Sequence, residues 1–201
     1  MKKLAFNLII LLMTMTGIAQ TTPNSISVYG SYEYQIKPEY KARMIISMNN
    51  VYYDAPGMAF PEIKKSYLDN LTKAGIQINS ITDDALGYAT LGYEKEGTII
   101  EYKTKDLNNL KKFLETKGLG VTKSDATIET TFTDEELANY AKLAYDNAKK
   151  KAENIAKKID RKIGNAIFIS DTNGNILTES LYYNSSDTNR TYQITVSFEL
   201  L

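Results

Sequence analysis

Seven apolar residues between Asp134 and Ile159 set the strongest pattern in the chain. Leu137, Ala141, Ala144, Ala148, Ala152, Ile155 and Ile159 recur at steps of three or four. At about 100° per residue they fall within about 80° of arc, a narrow apolar stripe on a helix whose other faces are mostly charged. Four of the seven are alanine, so this face can approach its partner very closely. Thr133, with Glu136 three residues on, predicts a capping box. Acidic residues at 134–136 and lysines at 157 and 158 suit the helix macrodipole. Asp146 with Lys150, and Glu153 with Lys157, stand at i,i+4 ion-pair spacing. At about 1.5 Å per residue the helix is roughly 39 Å long, enough to cross a sheet.

Period-two alternation predicts the strands. Ile26, Val28, Gly30, Tyr32, Tyr34 and Ile36 share one face of the first, and Gly30 within that face indicates a bulge or a close backbone approach. Lys37-Pro38-Glu39 breaks it. A second run follows, with Tyr40, Ala42, Met44, Ile46 and Met48 aligned, and the short break predicts an antiparallel hairpin. Segments 87–94 and 98–104 read as two further strands, 127–132 as another, and Ala166 to Ser170 as an apolar strand. Asn173-Gly174 predicts a tight hairpin into Ile176-Leu177. Tyr192, Ile194, Val196, Phe198 and Leu200 alternate in a last, half-buried strand.

Two shorter helices complete the pattern. Pro61 suits the first turn of one that continues through Ile63, Tyr67, Leu71 and Ala74 and ends at Gly75. Asp106 caps the other, with Leu107, Leu110, Phe113 and Leu114 on its inner face. Helices among strands joined mostly by short turns predict an α+β fold: largely antiparallel sheet with helices packed on it, including the long alanine-striped helix.

The N-terminus stands apart from the fold. Lys2 and Lys3 precede an apolar stretch, Leu4 to Ile18, and Gly17 and Ala19 are small residues suitably placed before a cut at Gln20. This pattern predicts a signal peptide over 1–19 and export to the periplasm or beyond. A retained anchor would need about 20 apolar residues, and no cysteine follows to carry a lipid. Residues 20–201 suit a single domain with enough length for a real core. No later segment is long and apolar enough to span a membrane.

Composition then narrows the chemistry. Removing Lys2 and Lys3 from a balance of 24 basic and 24 acidic side chains leaves a net charge of −2, which argues against non-specific nucleic-acid binding. The chain has no cysteine and no histidine. That removes disulfides, thiol nucleophiles, the usual triad base and thiolate or imidazole metal sites. Local motifs offer little more. Lys149-Lys150-Lys151 reads as a solvated helix face rather than an anion site. Asp83-Asp84 reads as a turn or cap rather than a metal site. The segment Asp171 to Asn175 has its glycine misplaced for a calcium loop. No catalytic, cofactor-binding or metal-ligating residue is assigned.

Several short motifs, in order, resemble the SIMPL-domain family. They are Ile26-x-Val28-x-Gly30, the Pro38-Glu39 pair, Gly75-Ile76, and Gly87-Tyr88 or Gly92-Tyr93. The alanine-rich run Ala141, Ala144, Ala148, Ala152-Glu153, Ala156 and Ile159, with Ile163-Gly164 after it, follows. The match covers nearly the whole of residues 20–201. The family usually has Pro-Asp where this chain has Pro38-Glu39, and often glycine where it has Asp160. The resemblance implies an exported bacterial envelope protein without catalytic residues, some relatives forming ring-like or channel-like oligomers.

The leading expectation is therefore a non-enzymatic envelope protein that acts through self-association or partner binding. Two loops, Tyr52 to Phe60 and Leu181 to Asn184, carry large side chains outside any periodic element. Tyr52, Tyr53, Phe60, Tyr182 and Tyr183 are the candidate contact residues for a homo-oligomer. Two alternatives compete. A carboxylate-based hydrolase would need a buried acid pair in an enclosed pocket. A small-molecule binder would use tyrosines such as Tyr32, Tyr34 and Tyr102 on a sheet face.

Overall fold

Thr133 and Glu136 start the long helix as the sequence predicts. The Glu136 N–H donates to Thr133 Oγ1 at 3.2 Å and the Thr133 N–H donates to the Glu136 carboxylate at 2.8 Å. Two otherwise unpaired donors are thereby satisfied reciprocally. This helix is one of four in a computed structural model that describes residues 24–51, 57–182 and 187–201. In chain order the elements are β1 (Ser25–Gln35), β2 (Glu39–Ser47), α1 (Phe60–Lys73), β3 (Ile81–Asp84), α2 (Ala85–Ala89), β4 (Gly97–Thr104) and α3 (Leu107–Glu115). Then come β5 (Val121–Thr131), α4 (Asp134–Lys158), β6 (Ile163–Asp171), β7 (Ile176–Ser180) and β8 (Asn189–Leu200). Both sheets are antiparallel, with strand orders β1-β8-β6 and β3-β4-β2-β5-β7, so the fold is α+β. No helix among the described residues is long and apolar enough to cross a membrane.

The chain divides into two compact units. Among the described residues, the first contains Asn24–Tyr32, Ala141–Thr172 and Gln193–Leu201. Here α4 lays Ala144, Ala148, Ala152 and Ala156 against the sheet, all four buried, with Val28, Ile194, Val196 and Phe198 on the facing side. The buried row advances in steps of four, and such rows run obliquely to the helix axis. The row therefore drifts away from the straight stripe of the sequence reading. Ile155 and Ile159 are left 46% and 54% exposed, while Ala156 takes the buried place. Gly30 is the close approach that its position in β1 predicts, since it lies directly beneath Ala144 and Ala148. The helix stops at Asp160, whose φ of 56° turns the chain while the Arg161 N–H donates to Ala156 O at 2.8 Å.

The second unit contains Glu33–Tyr140 and Asn173–Tyr192. Its core gathers Tyr40, Ala42, Met44 and Ile46 of β2, Ile100 and Tyr102 of β4, and Ile128 of β5. Ile63, Tyr67 and Leu71 of α1 and Leu110 and Phe113 of α3 close over them. Gly75, at φ 87°, ends α1 with the Ile76 N–H donating to Leu71 O at 2.9 Å. Asp106 Oδ1 accepts from the Asn108 N–H at 2.7 Å and so caps α3. Both boundaries follow the sequence reading.

Two connections, one strand and one ion pair differ from it. β1 and β2 form no hairpin: β1 borders β8, while β2 sits at the centre of the other sheet between β4 and β5. The Lys37-Pro38 break separates the strands instead of folding them together. Asn173-Gly174 likewise carries the chain between sheets, because β6 pairs with β8 and β7 with β5. Both errors have one cause, since alternation specifies a strand's faces and leaves its partner open. Segment 87–94 forms no strand. Asp84 Oδ1 accepts from the Gly87 N–H at 2.7 Å and starts the short helix α2, which seats Tyr88 against Gly97 and bonds its hydroxyl with Ser47 Oγ at 2.6 Å. In α4, Asp146 pairs with Lys142 at 2.5 Å instead of with Lys150.

Candidate association surface

Of the aromatic residues expected at a contact surface, Tyr182 is 88% exposed. Phe60 is not on an exposed loop. It is the first residue of α1 and packs, half-buried, on the core of the second unit, because the helix begins at Phe60 itself with Pro61 in its first turn. Tyr52, Tyr53 and Tyr183 lie outside the described residues.

The sheet tyrosines are drawn into packing. Tyr102 is buried and stacks on Phe113 with ring centroids 5.1 Å apart. Tyr34 stacks on Tyr140 at 4.6 Å, Phe132 meets Tyr34 edge-on at 5.6 Å, and Tyr192 meets Tyr140 edge-on at 5.9 Å. Burial, then the neighbouring Tyr140, pushes the Tyr34 hydroxyl above its ordinary pKa. These are the offset and edge-to-face geometries that aromatic rings favour. They use the ring faces a flat ligand would need. Tyr32 is half-buried in β1.

Three half-buried carboxylates face cations. Glu101 accepts from Arg43 Nε at 2.9 Å, Glu129 pairs with Lys41 and with Lys103 at 3.7 Å, and Glu179 accepts from Arg190 Nε at 3.0 Å on both oxygens. The hydrogen bond from Lys41 holds Glu129 below the usual carboxylate range, against a smaller opposing effect of burial. Asp83 is also held low. Burial alone would raise it, but hydrogen bonds from Lys64 and Thr98 and the Lys64 charge together outweigh burial. Groups kept ionised in this way accept hydrogen bonds and serve poorly as proton donors. Glu39 stands opposite Glu129 across β2 and β5 and lines an open hollow of about 460 Å³ with Lys37 and Lys105. This is not the enclosed acid pair a glycosidase-like site requires. Among the described residues no Asp or Glu is fully buried, and no cluster of three or more Asp and Glu side chains could hold a metal.

The apolar surface that stands out is β6. Ile167, Phe168 and Ile169 are 42%, 57% and 55% exposed in consecutive positions. The sequence showed the run but not its place. An unbroken apolar stretch reads as a strand covered on both faces, whereas β6 is an edge of its sheet. Its register with β8 places Ile169 opposite Val196, on the face that α4 covers, and Phe168 opposite Ser197, on the other face. The opposite edge of the same sheet is covered at its middle, where Lys151 Nζ donates to Tyr29 O at 3.0 Å and the Ser31 N–H donates to Asn147 Oδ1 at 3.1 Å. Neither the models of known protein families nor the curated proteins match this chain.

Proposed function

We propose that this is an exported, non-enzymatic protein of the bacterial cell envelope that acts by associating with copies of itself. The observation that carries the reading is the exposed run Ile167-Phe168-Ile169 on an unpaired strand edge. Edges of this kind are normally charged, shortened or covered, and an exposed apolar one is a site for pairing. Tyr182 adds a second exposed aromatic group. The resemblance to SIMPL-domain envelope proteins supports both export and assembly. The pairing of Glu101, Glu129 and Glu179 with Lys and Arg argues against a carboxylate hydrolase. The packed tyrosine rings argue against a ligand platform on the sheet.

Light scattering coupled to gel filtration tests association. The expected result is a mass of two chains or more at micromolar concentration, and a single-chain mass overturns it. Intact-mass analysis of the envelope fraction tests export. A chain beginning near Gln20 is expected, and an unprocessed chain in the cytoplasm overturns that part.

A further inference from the structure

We propose that Asn173 is a site at which the folded chain modifies itself: the Gly174 nitrogen attacks the Asn173 side chain, which water then converts to aspartate and isoaspartate. The modification is independent of self-association.

The residue types set the chemistry. Asn173-Gly174 has the sequence of a hairpin turn, but β6 and β7 do not pair, so the dipeptide is left without that use. Nowhere else in the chain does glycine follow asparagine. The Gly174 nitrogen gives up its proton and bonds to Cγ of Asn173, while the Cγ–Nδ2 bond breaks and ammonia leaves. The product is a cyclic imide. Water opens it at either carbonyl carbon. Opening at Cγ leaves aspartate. Opening at the backbone carbonyl leaves isoaspartate, in which the main chain runs through Cβ and Cγ. No oxidant or reductant enters. A side chain on the following residue would crowd the attacking nitrogen and restrict its backbone, and glycine does neither.

The fold leaves this step open. Asn173 and Gly174 are both exposed and lie in neither helix nor strand. A Cβ built on Gly174 would meet only Ile176 O, at 4.0 Å. Hydrogen bonds to an asparagine side chain use its oxygen or its NH2 group and leave the carbon open. Exposed rotamers also interchange in picoseconds to nanoseconds, far faster than amide chemistry. Other asparagines are held differently. Asn70, Asn139, Asn147 and Asn154 lie within helices, where the next N–H is committed to the helix.

The change reaches the start of α4 through Asn175. Its carbonyl accepts from the Phe132 N–H at 2.8 Å, and its side-chain amide donates to Asp134 Oδ1 at 2.7 Å. Isoaspartate lengthens the main chain by one atom just before this anchor. Both products add a carboxylate to a segment already bonded to Asp134. Each effect loosens Asn175 from the first turn of α4.

The test incubates the folded protein in mildly alkaline buffer and maps its peptides by mass spectrometry over time. The expected result is the mass gain of an amide turned to an acid, confined to the peptide that holds Asn173 and divided between two chromatographic forms. The rate should be within a few-fold of that in guanidinium chloride. Gly174→Ala, which the space at Gly174 admits, should lose most of the gain. Asn173→Gln, which would need a larger ring, should lose it too and stands in if the alanine variant fails to fold. Exchange of the Phe132 amide hydrogen should be faster in the isoaspartate form. An Asn173 that remains an amide in the folded parent overturns the proposal, and so does a folded variant that converts as fast as the parent. Conversion with unchanged exchange at Phe132 overturns the loosening of α4 and leaves the modification standing.

Discussion

Gly30 lies so close beneath Ala148 that a Cβ built on the glycine would stand 2.8 Å from the Ala148 Cβ and 2.0 Å from the Ala144 carbonyl oxygen. The backbone of Gly30 itself is not in the left-handed region, so the requirement is one of space alone. The alanine row and the glycine are two halves of a single contact, in which the absence of side chain on both sides brings helix and strand together.

Either half should fail if enlarged. Gly30→Ala or Ala148→Leu overpacks the contact and should cost about 1–3 kcal/mol. Lys149→Leu, on the exposed side of the same helix turn, should stay within about 0.5 kcal/mol. Urea melts of the three variants check this, and equal effects at 148 and 149 would refute it.

Asp160 gives a prediction of opposite sign. Its φ of 56° is sterically costly for a residue with a Cβ, and the position follows the last turn of α4, where glycine is favoured. Asp160→Gly should stabilise the protein by on the order of 0.5–1 kcal/mol. A thermal melt at neutral pH measures it, and a loss of stability would show that the aspartate side chain contributes more than its backbone conformation costs.

Stability should fall in acid through two named carboxylates. Asp83 and Glu129 have folded pKa values below their ordinary 3.8 and 4.5. A depressed folded pKa means the unfolded chain binds the proton first. The contribution is therefore complete above the ordinary value and is lost as pH falls through the lower folded one. Asp83→Asn and Glu129→Gln should lower stability at pH 7 and flatten its decline below about pH 4.5. Parallel acid slopes in parent and variants would rule this out.

Tyr67 is fully buried in α1, and its hydroxyl has no hydrogen-bond partner among the described residues. Burial pushes its pKa well above the ordinary value. An unpaired buried hydroxyl costs about 1–3 kcal/mol. Tyr67→Phe should consequently be neutral or stabilising, although it removes a polar atom from the core. A destabilised phenylalanine variant in a urea melt would contradict the assignment.

How much of this was legible in the residues depends on the range of each interaction. The capping box at Thr133 and Glu136, the stop at Gly75 and the Asp106 cap were readable because their partners lie within a few residues. Gly30 was readable as a bulge or a close approach, and its contact with Ala144 and Ala148 is the second of these. Partners distant in sequence were not. Nothing in the alternation of β1 says that it borders β8, so the hairpin with β2 looked equally sound. Asn147 lies off the alanine stripe, yet its amide oxygen accepts from the Ser31 N–H across 116 positions. The exposed edge was hidden for the same reason. The run Ala166 to Ser170 reads identically whether one strand or two lie beside it.

The strand order β1-β8-β6 places the last of three strands in sequence in the middle of the sheet. A chain that emerges N-terminus first holds β1, α4 and β6 before it holds the strand that joins them. Ser27 and Ser197, whose hydroxyls meet at 2.7 Å, are separated by 170 positions. The loop entropy of that closure must be met before the contacts it brings can form. The first unit is thus a late event in the life of each molecule, and during the wait β1 and β6 lack the strand that pairs with both. Whatever keeps the emerging polypeptide from premature pairing has to act until β8 arrives.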